Sequence, residues 1–335
     1  MDSLTQILLA ASVAELAIGR AVGRRAPLYG AALGTLPDLD VLIRFGGAVE
    51  DFTYHRGFSH SLIVMTAAAP VIGWALWKLQ GLASLRQWMM MVWLVLVTHA
   101  LLDAATVYGT QLFWPFTEHP VSGSALFIID PAYTIWLALG LLAVLMMSRA
   151  GNTGHRLNAA GLVLSTAYIG WAFTAKAQVT DVAARSLEAQ GISYTRLLST
   201  PAPFNTLLWR FVAMHPDGSY SEGYYSLFDG AGDVRFDRYD SEVALLDQVR
   251  GQWPVERLKW FTHGFYKVAQ NSPAIVITDL RMGVEGSYVF NFKVGDILPG
   301  GTVTPANERV RTSRGAERLP LVWDRIWDRS VSLAP

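Results

Sequence analysis

The sequence predicts an all-α polytopic membrane domain of about six membrane-associated helices, followed by a soluble, mainly β (α+β) C-terminal domain. Three observations predict this. Charged residues make up only 16% of the 335-residue chain, against roughly 25% in an ordinary soluble domain, and mean hydropathy is +0.28. The charge that exists is concentrated in the second half. At about residue 176 long apolar runs give way to short alternating ones, so the division falls as residues 1–176 and 177–335.

Four segments are apolar and close to the roughly 20 residues a membrane-crossing helix needs: 61–79, 87–105, 132–148 and 157–175. Two earlier segments, 4–19 and 28–43, are shorter and carry polar residues, so tilted spans, a re-entrant hairpin and buried helices all fit them. The later part opens with a helical stretch, "VTDVAARSLEAQG". The β-rich runs "NTLLWRFVAM", "YSEGYYSLFD", "AIVITDL" and "SYVFNFKVG" follow, punctuated by Gly, Asp, Asn and Pro. These read as a mostly antiparallel sheet with hairpins.

Basic residues orient the spans. Arg20, Arg24 and Arg25 separate the first two segments, Lys78 and Arg86 flank the third connection, and Arg149 and Arg156 lie in the fifth. If all six segments cross, these connections share one side, which positive residues assign to the cytoplasm. The expectation is a multi-pass protein of a bacterial inner membrane, with its C-terminal domain periplasmic. The start "MDSLTQILLAASVAELAIGRAVGRR" does not read as a signal peptide, because its arginines follow the apolar stretch.

An ionisable group at membrane depth is costly and is by default a functional hypothesis. The topology collects several at the outer ends of the segments: Asp2, Asp38 and Asp40 in "PDLD", His55 and His60 in "HRGFSHS", His99 and Asp103 in "HALLD", and Asp130 in "FIIDP". His99 and Asp103 are four apart and share a helix face. Asp38 and Asp40, two apart after Pro37, need an irregular backbone to converge. His55 and His60, five apart, need a bend, for which Gly57 is placed. Imidazole and carboxylate donors suit a divalent metal, zinc first, with manganese or iron as alternatives.

Structural roles compete at several of these positions. Asp2 reads as a helix cap, and Ser59 or Ser61 as the cap of the helix that follows. Asp130 before Pro131 fits a cap and a ligand equally. Arg56 fits a headgroup anchor or a holder of phosphate or carboxylate. For His60, His99 and Asp103 the competing role is a hydrogen-bonded network between helices. His119 reads as a loop residue, His155 falls on the cytoplasmic side, and His215 and His263 belong to the soluble part. With no cysteine, disulfides, thiolate sites and cysteine nucleophiles are excluded. Equal numbers of basic and acidic residues, 27 each, give no reason to expect nucleic acid.

The motifs "MDSLTQ", "GTLPDLDVL", "HRGFSHS", "HALLDAATVYGTQLFWPF" and "FIIDP", in order over the first 135 or so residues, resemble the YdjM-type family of membrane-bound metal-dependent hydrolases. "TPAPFNTLLWR" and "DLRMG" further on resemble the extracytoplasmic part of its "MDSLTQ" subgroup. That family is similar in motif style to the phospholipase C/P1 nuclease group, whose zinc cluster includes an H-x-x-x-D pair. The resemblance implies phosphoester hydrolysis, with His99 and Asp103 as that pair and Asp40 and His60 as companions. Many relatives begin with a "DxxTH" pattern; Gln6 stands where that histidine would be, and glutamine is a poor zinc ligand.

The reading that follows is a membrane hydrolase acting on a membrane lipid or lipid-linked substrate by metal-activated water. Asp38, Asp40, His55, His60, His99, Asp103 and Asp130 are the ligand candidates. Asp38 is the candidate general base, and Arg56 the residue steadying an anionic group. The competing class is a non-enzymatic membrane protein whose His/Asp cluster is structural or moves ions.

Overall fold

A computed structural model describes residues 1–149, 151–230, 232–311 and 318–334. The chain divides into two compact units, Met1–Ile43 with His55–Phe173, and Arg44–Tyr54 with Thr174–Pro335.

The first unit is helical. Helix α1 (Ser3–Val22) is capped by Asp2, whose carboxylate accepts from Thr5 N–H at 3.0 Å. A 3₁₀ turn at Gly23–Arg25 reverses the chain into α2 (Ala26–Gly34), which ends in a second 3₁₀ turn, Pro37–Leu42. A Cβ on Gly30 would stand 2.2 Å from the Ala10 carbonyl oxygen, and one on Gly34 would stand 2.3 Å from Ala10 Cβ. Two glycines four apart therefore let α2 lie antiparallel against α1 at near-backbone contact, the small-residue packing that membrane helices use in place of a hydrophobic driving force. The first two segments thus form the helical hairpin α1–α2.

Helix α4 (Leu62–Gln80) and helix α5 (Leu85–Ala104) follow the short α3 (Ala48–Tyr54), which belongs to the second unit. Only Met65, Ala69 and Gly73 of α4 are buried, one residue per turn along one stripe. Leu62, Ile72, Leu76 and Trp77 pack on the bundle while partly exposed, and Ile63, Val71, Trp74 and Leu79 leave an apolar exposed face, as a lipid-facing helix requires. The buried Trp88, Met91, Val92, Val95 and Leu96 of α5 form the centre of the bundle with Leu9, Val13 and Ile18 of α1. Helix α6 (Pro131–Met146) packs on α7 (Thr153–Ala189), again through glycine: a Cβ on Gly161 would meet the Trp136 carbonyl oxygen at 2.4 Å.

Among the described residues three segments are long and apolar enough to cross a membrane: Ser3–Leu42, Leu62–Gln80 and Leu85–Ala104; Pro131–Met146 is apolar but shorter. The six separate membrane helices of the sequence reading are not reached. The expected span 157–175 and the expected soluble helix after it form one uninterrupted α7, because no proline or glycine stands between Gly170 and Gly191 to break it.

At the end of the bundle away from the Asp2 cap lies a second ionisable group, which falls within the apolar segment 4–19 and was not among the candidates. Glu15 of α1, 1% exposed, is gripped by Arg149 through two 3.0 Å bonds, and Arg149 also donates to the Gly19 carbonyl at 3.0 Å.

In the second unit, Ala175, Val179 and Ala183 of α7 pack on Trp209 and Phe211. These belong to an antiparallel sheet ordered β1 (Arg196–Pro201), β2 (Leu208–Met214), β3 (Tyr220–Ser226), β4 (Phe236–Tyr239). A second antiparallel sheet runs β5 (Tyr266–Asn271), β6 (Ala274–Asp279), β7 (Asn291–Ile297), β8 (Val303–Val310). Helix α8 (Trp253–Phe261) precedes β5, and α9 (Leu319–Trp327) follows β8. The buried Arg210 of β2 pairs with Glu222 of β3 and donates to the Leu280 carbonyl at 2.9 Å, tying the two sheets together.

Candidate metal centre

Four side chains converge in the first unit: Asp38, His60, His99 and Asp103, each offering an atom within 4.8 Å of the others. His99 and Asp103 come from one face of the last turns of α5, as i,i+4 residues must. Asp38 sits on the 3₁₀ turn after α2, and His60 on the 3₁₀ turn Phe58–His60 ahead of α4.

Their separations are informative. His60 Nε2 lies 3.2 Å from Asp103 Oδ2 and 3.4 Å from Asp38 Oδ1. His99 Nε2 lies 3.5 Å from Asp103 Oδ2, 3.6 Å from Asp38 Oδ1 and 3.2 Å from His60 Nε2. Donors bound at about 2.0–2.2 Å to a tetrahedral zinc-sized ion stand roughly 3.3–3.6 Å apart. Five measured edges match that spacing closely, and all involve imidazole nitrogen or carboxylate oxygen. Asp103 Oδ2 is buried at the centre and accepts no hydrogen bond, a costly arrangement for a carboxylate unless a cation satisfies it. The residues fit a divalent ion.

The surroundings aim these donors. Asp103 divides its two oxygens: Oδ1 accepts from Gln6 Nε2 at 3.0 Å, lies 3.3 Å from Arg56 Nη2, and also takes the Met1 amino group, while Oδ2 faces the cluster. Asp40 is buried beside the cluster but is not part of it. Its Oδ2 accepts from Ser59 Oγ at 2.6 Å and from Arg56 N–H at 2.9 Å. Ser59 Oγ lies 2.9 Å from His60 Nδ1. A hydroxyl that donates to Asp40 can accept only from a protonated Nδ1, so the relay holds His60 with Nε2 unprotonated and facing the cluster.

His55 and Asp40, expected as ligands, form a pair of their own, Nδ1 to Oδ1 at 2.7 Å. The reason is geometric: in a 3₁₀ turn residues two apart point roughly 240° around the axis, so Asp38 reaches the Nε2 side of His60 while Asp40 stands on its Nδ1 side, 3.7 Å away. The sharp left-handed bend is at Arg56 (φ 61°), not at Gly57 (φ −84°). A non-glycine residue there costs of order 1–3 kcal/mol. Its N–H on Asp40 and its carbonyl, which accepts from Gln111 N–H at 3.0 Å, hold the bend. The Arg56 guanidinium is buried over the Tyr108 ring at 5.1 Å and backs Asp103 rather than facing an open surface.

Asp130 caps α6, accepting from Ala132 and Tyr133 N–H at 3.0 and 3.2 Å and from the Tyr168 hydroxyl, and it stands outside the four. Ser61 is the cap of α4, accepting from Ile63 and Val64 N–H. Ser59 and Gln6 are the functional residues that sequence reasoning missed. Ser59 adjoins a candidate ligand and was weighed as a cap against a nucleophile, and Gln6 was judged solely as a ligand.

A family model described as YdjM inner membrane protein matches residues 1–179. The chain belongs to this family. The matched region contains all four cluster residues. The chain is also similar to the inner membrane protein YbcI of Escherichia coli (strain K12), 37% identical over 95 residues, which is 27% of this chain and 53% of the relative. The chain thus spans about half the length of that curated relative. No solved structure matches it.

Proposed function

We propose that this YdjM-family protein is a metal-dependent hydrolase of the inner membrane, acting on a phosphoester of a lipid or lipid-linked substrate at the outer face. The near-tetrahedral set of Asp38, His60, His99 and Asp103 carries the proposal. Zinc suits two imidazoles and two carboxylates best, with manganese or iron as alternatives. A divalent ion there supplies Lewis acidity and makes water a nucleophile near neutral pH.

The chain's own residues supply the rest. His60 and His99 present Nε2, and Asp103 presents the oxygen not engaged by Gln6 and Arg56. The Asp38 side chain is 26% exposed while the other three are at most 1% exposed, so substrate and water approach past Asp38. With His60, His99 and Asp103 holding the ion, Asp38 is the carboxylate placed to take a proton from attacking water. Leu39, Val41, Leu42 and Phe58, exposed and apolar, flank this entrance in sequence and favour a substrate presented at the membrane. Arg56 steadies Asp103 and adds positive charge behind the cluster.

Metal analysis of the detergent-purified chain tests the reading. About one zinc per chain, lost in His60→Ala and Asp103→Ala, together with turnover of a phosphodiester or phospholipid panel, is expected. Metal-free protein that stays folded and indifferent to chelators would sink it. A second reading is favoured by the donor count: four protein ligands complete a tetrahedron, as in closed structural sites. Bound metal without turnover of any panel member would select a metal-binding or transport role.

A further inference from the structure

The second unit contains a cavity of about 680 Å³ between the start of β1, the β2–β3 turn and the end of α8. Its volume suits a small-molecule ligand. Arg196 and Lys259 line it, with Thr195, Tyr266, Trp260 and His215, and among the described residues no aspartate or glutamate lines it. Lys259 bonds Glu256, one turn back on the same exposed helix face, at 2.9 Å. Among the described residues no carboxylate pairs with Arg196. A concave surface carrying two cations and no acid concentrates positive potential inside it.

The wall is built to hold that guanidinium in place. Gly264 has φ +80°, and a Cβ there would stand 3.1 Å from Arg196 Cζ, so the arginine lies against bare backbone. The turn that carries Gly264 also closes α8: Gly264 N–H bonds the Lys259 carbonyl and His263 N–H bonds the Trp260 carbonyl, each at 3.1 Å. The Lys259 and Trp260 carbonyls are therefore hydrogen-bonded within the turn. His215 is a fixed wall, with Nδ1 2.8 Å from the Ser193 carbonyl oxygen and Nε2 2.8 Å from Ser221 Oγ.

We infer that this cavity is a binding site for an organic phosphate, its phosphate held by Arg196 and Lys259 and its organic part lying along Trp260 and Tyr266. The planar fork of arginine and the compact ammonium of lysine are the two side chains best matched to phosphate oxygens. The ligand can be soluble or a lipid headgroup, and the chemistry recognised is the same. The inference does not rest on the metal centre.

Titration calorimetry on the full chain in detergent, stripped with chelator so that the His/Asp cluster cannot hold phosphate through a metal, tests it. The probes are inorganic phosphate, glycerol 3-phosphate and dihexanoyl phosphatidylglycerol, with glycerol as the neutral control. Saturable binding of one or more phosphate probes, and none of glycerol, is expected. Arg196→Gln/Lys259→Gln should weaken it by roughly tenfold or more, since each removes a charge-assisted bond. Thr195→Trp, which fills the mouth without touching charge, should weaken it as well. Binding of the phospholipid alone identifies a headgroup source; binding of glycerol 3-phosphate identifies a soluble one. No binding of any phosphate probe, or equal binding by wild type and the double variant at unchanged melting temperature, overturns the assignment.

Discussion

Ser59 and Ser61 are two residues apart and hold different parts of the molecule. Ser59 connects Asp40 to His60, whereas Ser61 caps α4 and donates to the Trp114 carbonyl at 2.5 Å. Ser59→Ala should lower metal affinity about 10–100-fold with little change in melting temperature, as loss of an outer-shell partner does. Ser61→Ala should do the reverse, costing about 1 kcal/mol of stability and leaving metal content intact. Metal titration and thermal unfolding of both variants separate the two roles. In the second unit, Glu285 shows the electrostatic counterpart. Burial disfavours its ionised form, but Lys267 Nζ at 2.7 Å and the Tyr220 hydroxyl outweigh that and hold its pKa below the ordinary glutamate value of 4.5. A depressed carboxylate adds stability that is complete above its unfolded pKa and is lost as pH falls through the folded one. Tryptophan-monitored unfolding should therefore show the full chain losing stability below about pH 4.5, and Glu285→Gln losing less. At this scale the sequence was partly legible. The i,i+4 spacing of His99 and Asp103 needed only a helix to become a face. Asp38 and Asp40 could not be told apart without knowing that their backbone turns every three residues.

Among elements, the α1–α2 hairpin sets the position of Asp38, which hangs from the end of α2. Gly30→Val would drive a branched side chain into the Ala10 carbonyl, where the obstacle is backbone and cannot rotate away. The expected result is a loss of about 1–3 kcal/mol or more, read as a lower melting temperature in detergent, with metal content falling alongside as Asp38 leaves its partners. Unchanged metal content in a destabilised variant would show that α2 does not position the cluster. The strands show what a sequence reveals about elements. The four runs read as β-rich became β2, β3, β6 and β7, the central strands of the two sheets. The edge strands β1, β4, β5 and β8 went unread, because an edge is paired on one side only and tolerates polar, interrupted sequence. β8, with Pro305, Asn307, Glu308 and Arg309, shows no clean alternation. In α7 the change from apolar to charged composition falls beside the division between the two units at Phe173/Thr174, although the helix itself runs on unbroken.

At the scale of the whole molecule, the distribution of arginine and lysine sets an orientation that experiment can read from both sides. A reporter fused after residue 190 should register as extracytoplasmic. A membrane-impermeant chelator should strip metal from the protein in right-side-out spheroplasts and spare it in inverted vesicles, provided both are sealed. The opposite pattern would reverse the assignment of the cluster to the outer face. Membership of an inner-membrane family agrees with the apolar, lipid-exposed surface of α4, which buries only Met65, Ala69 and Gly73. The meeting of Asp38, His60, His99 and Asp103 was expected from a topology of six crossing segments, of which three are long and apolar enough among the described residues. The Glu15–Arg149 pair at the other end was not, since a single glutamate in an apolar helix announces no partner far along the chain. Its consequence is mechanical. Helix α1 is fastened near one end through Gln6 to Asp103 and toward the other through Glu15 to Arg149. Sliding it by one residue, about 1.5 Å along its axis, would strain both attachments together and pull the buried Glu15 carboxylate off its partner. α1 therefore cannot act as a piston. It is a strut of fixed length, and any motion that opens the cluster must come from its neighbours.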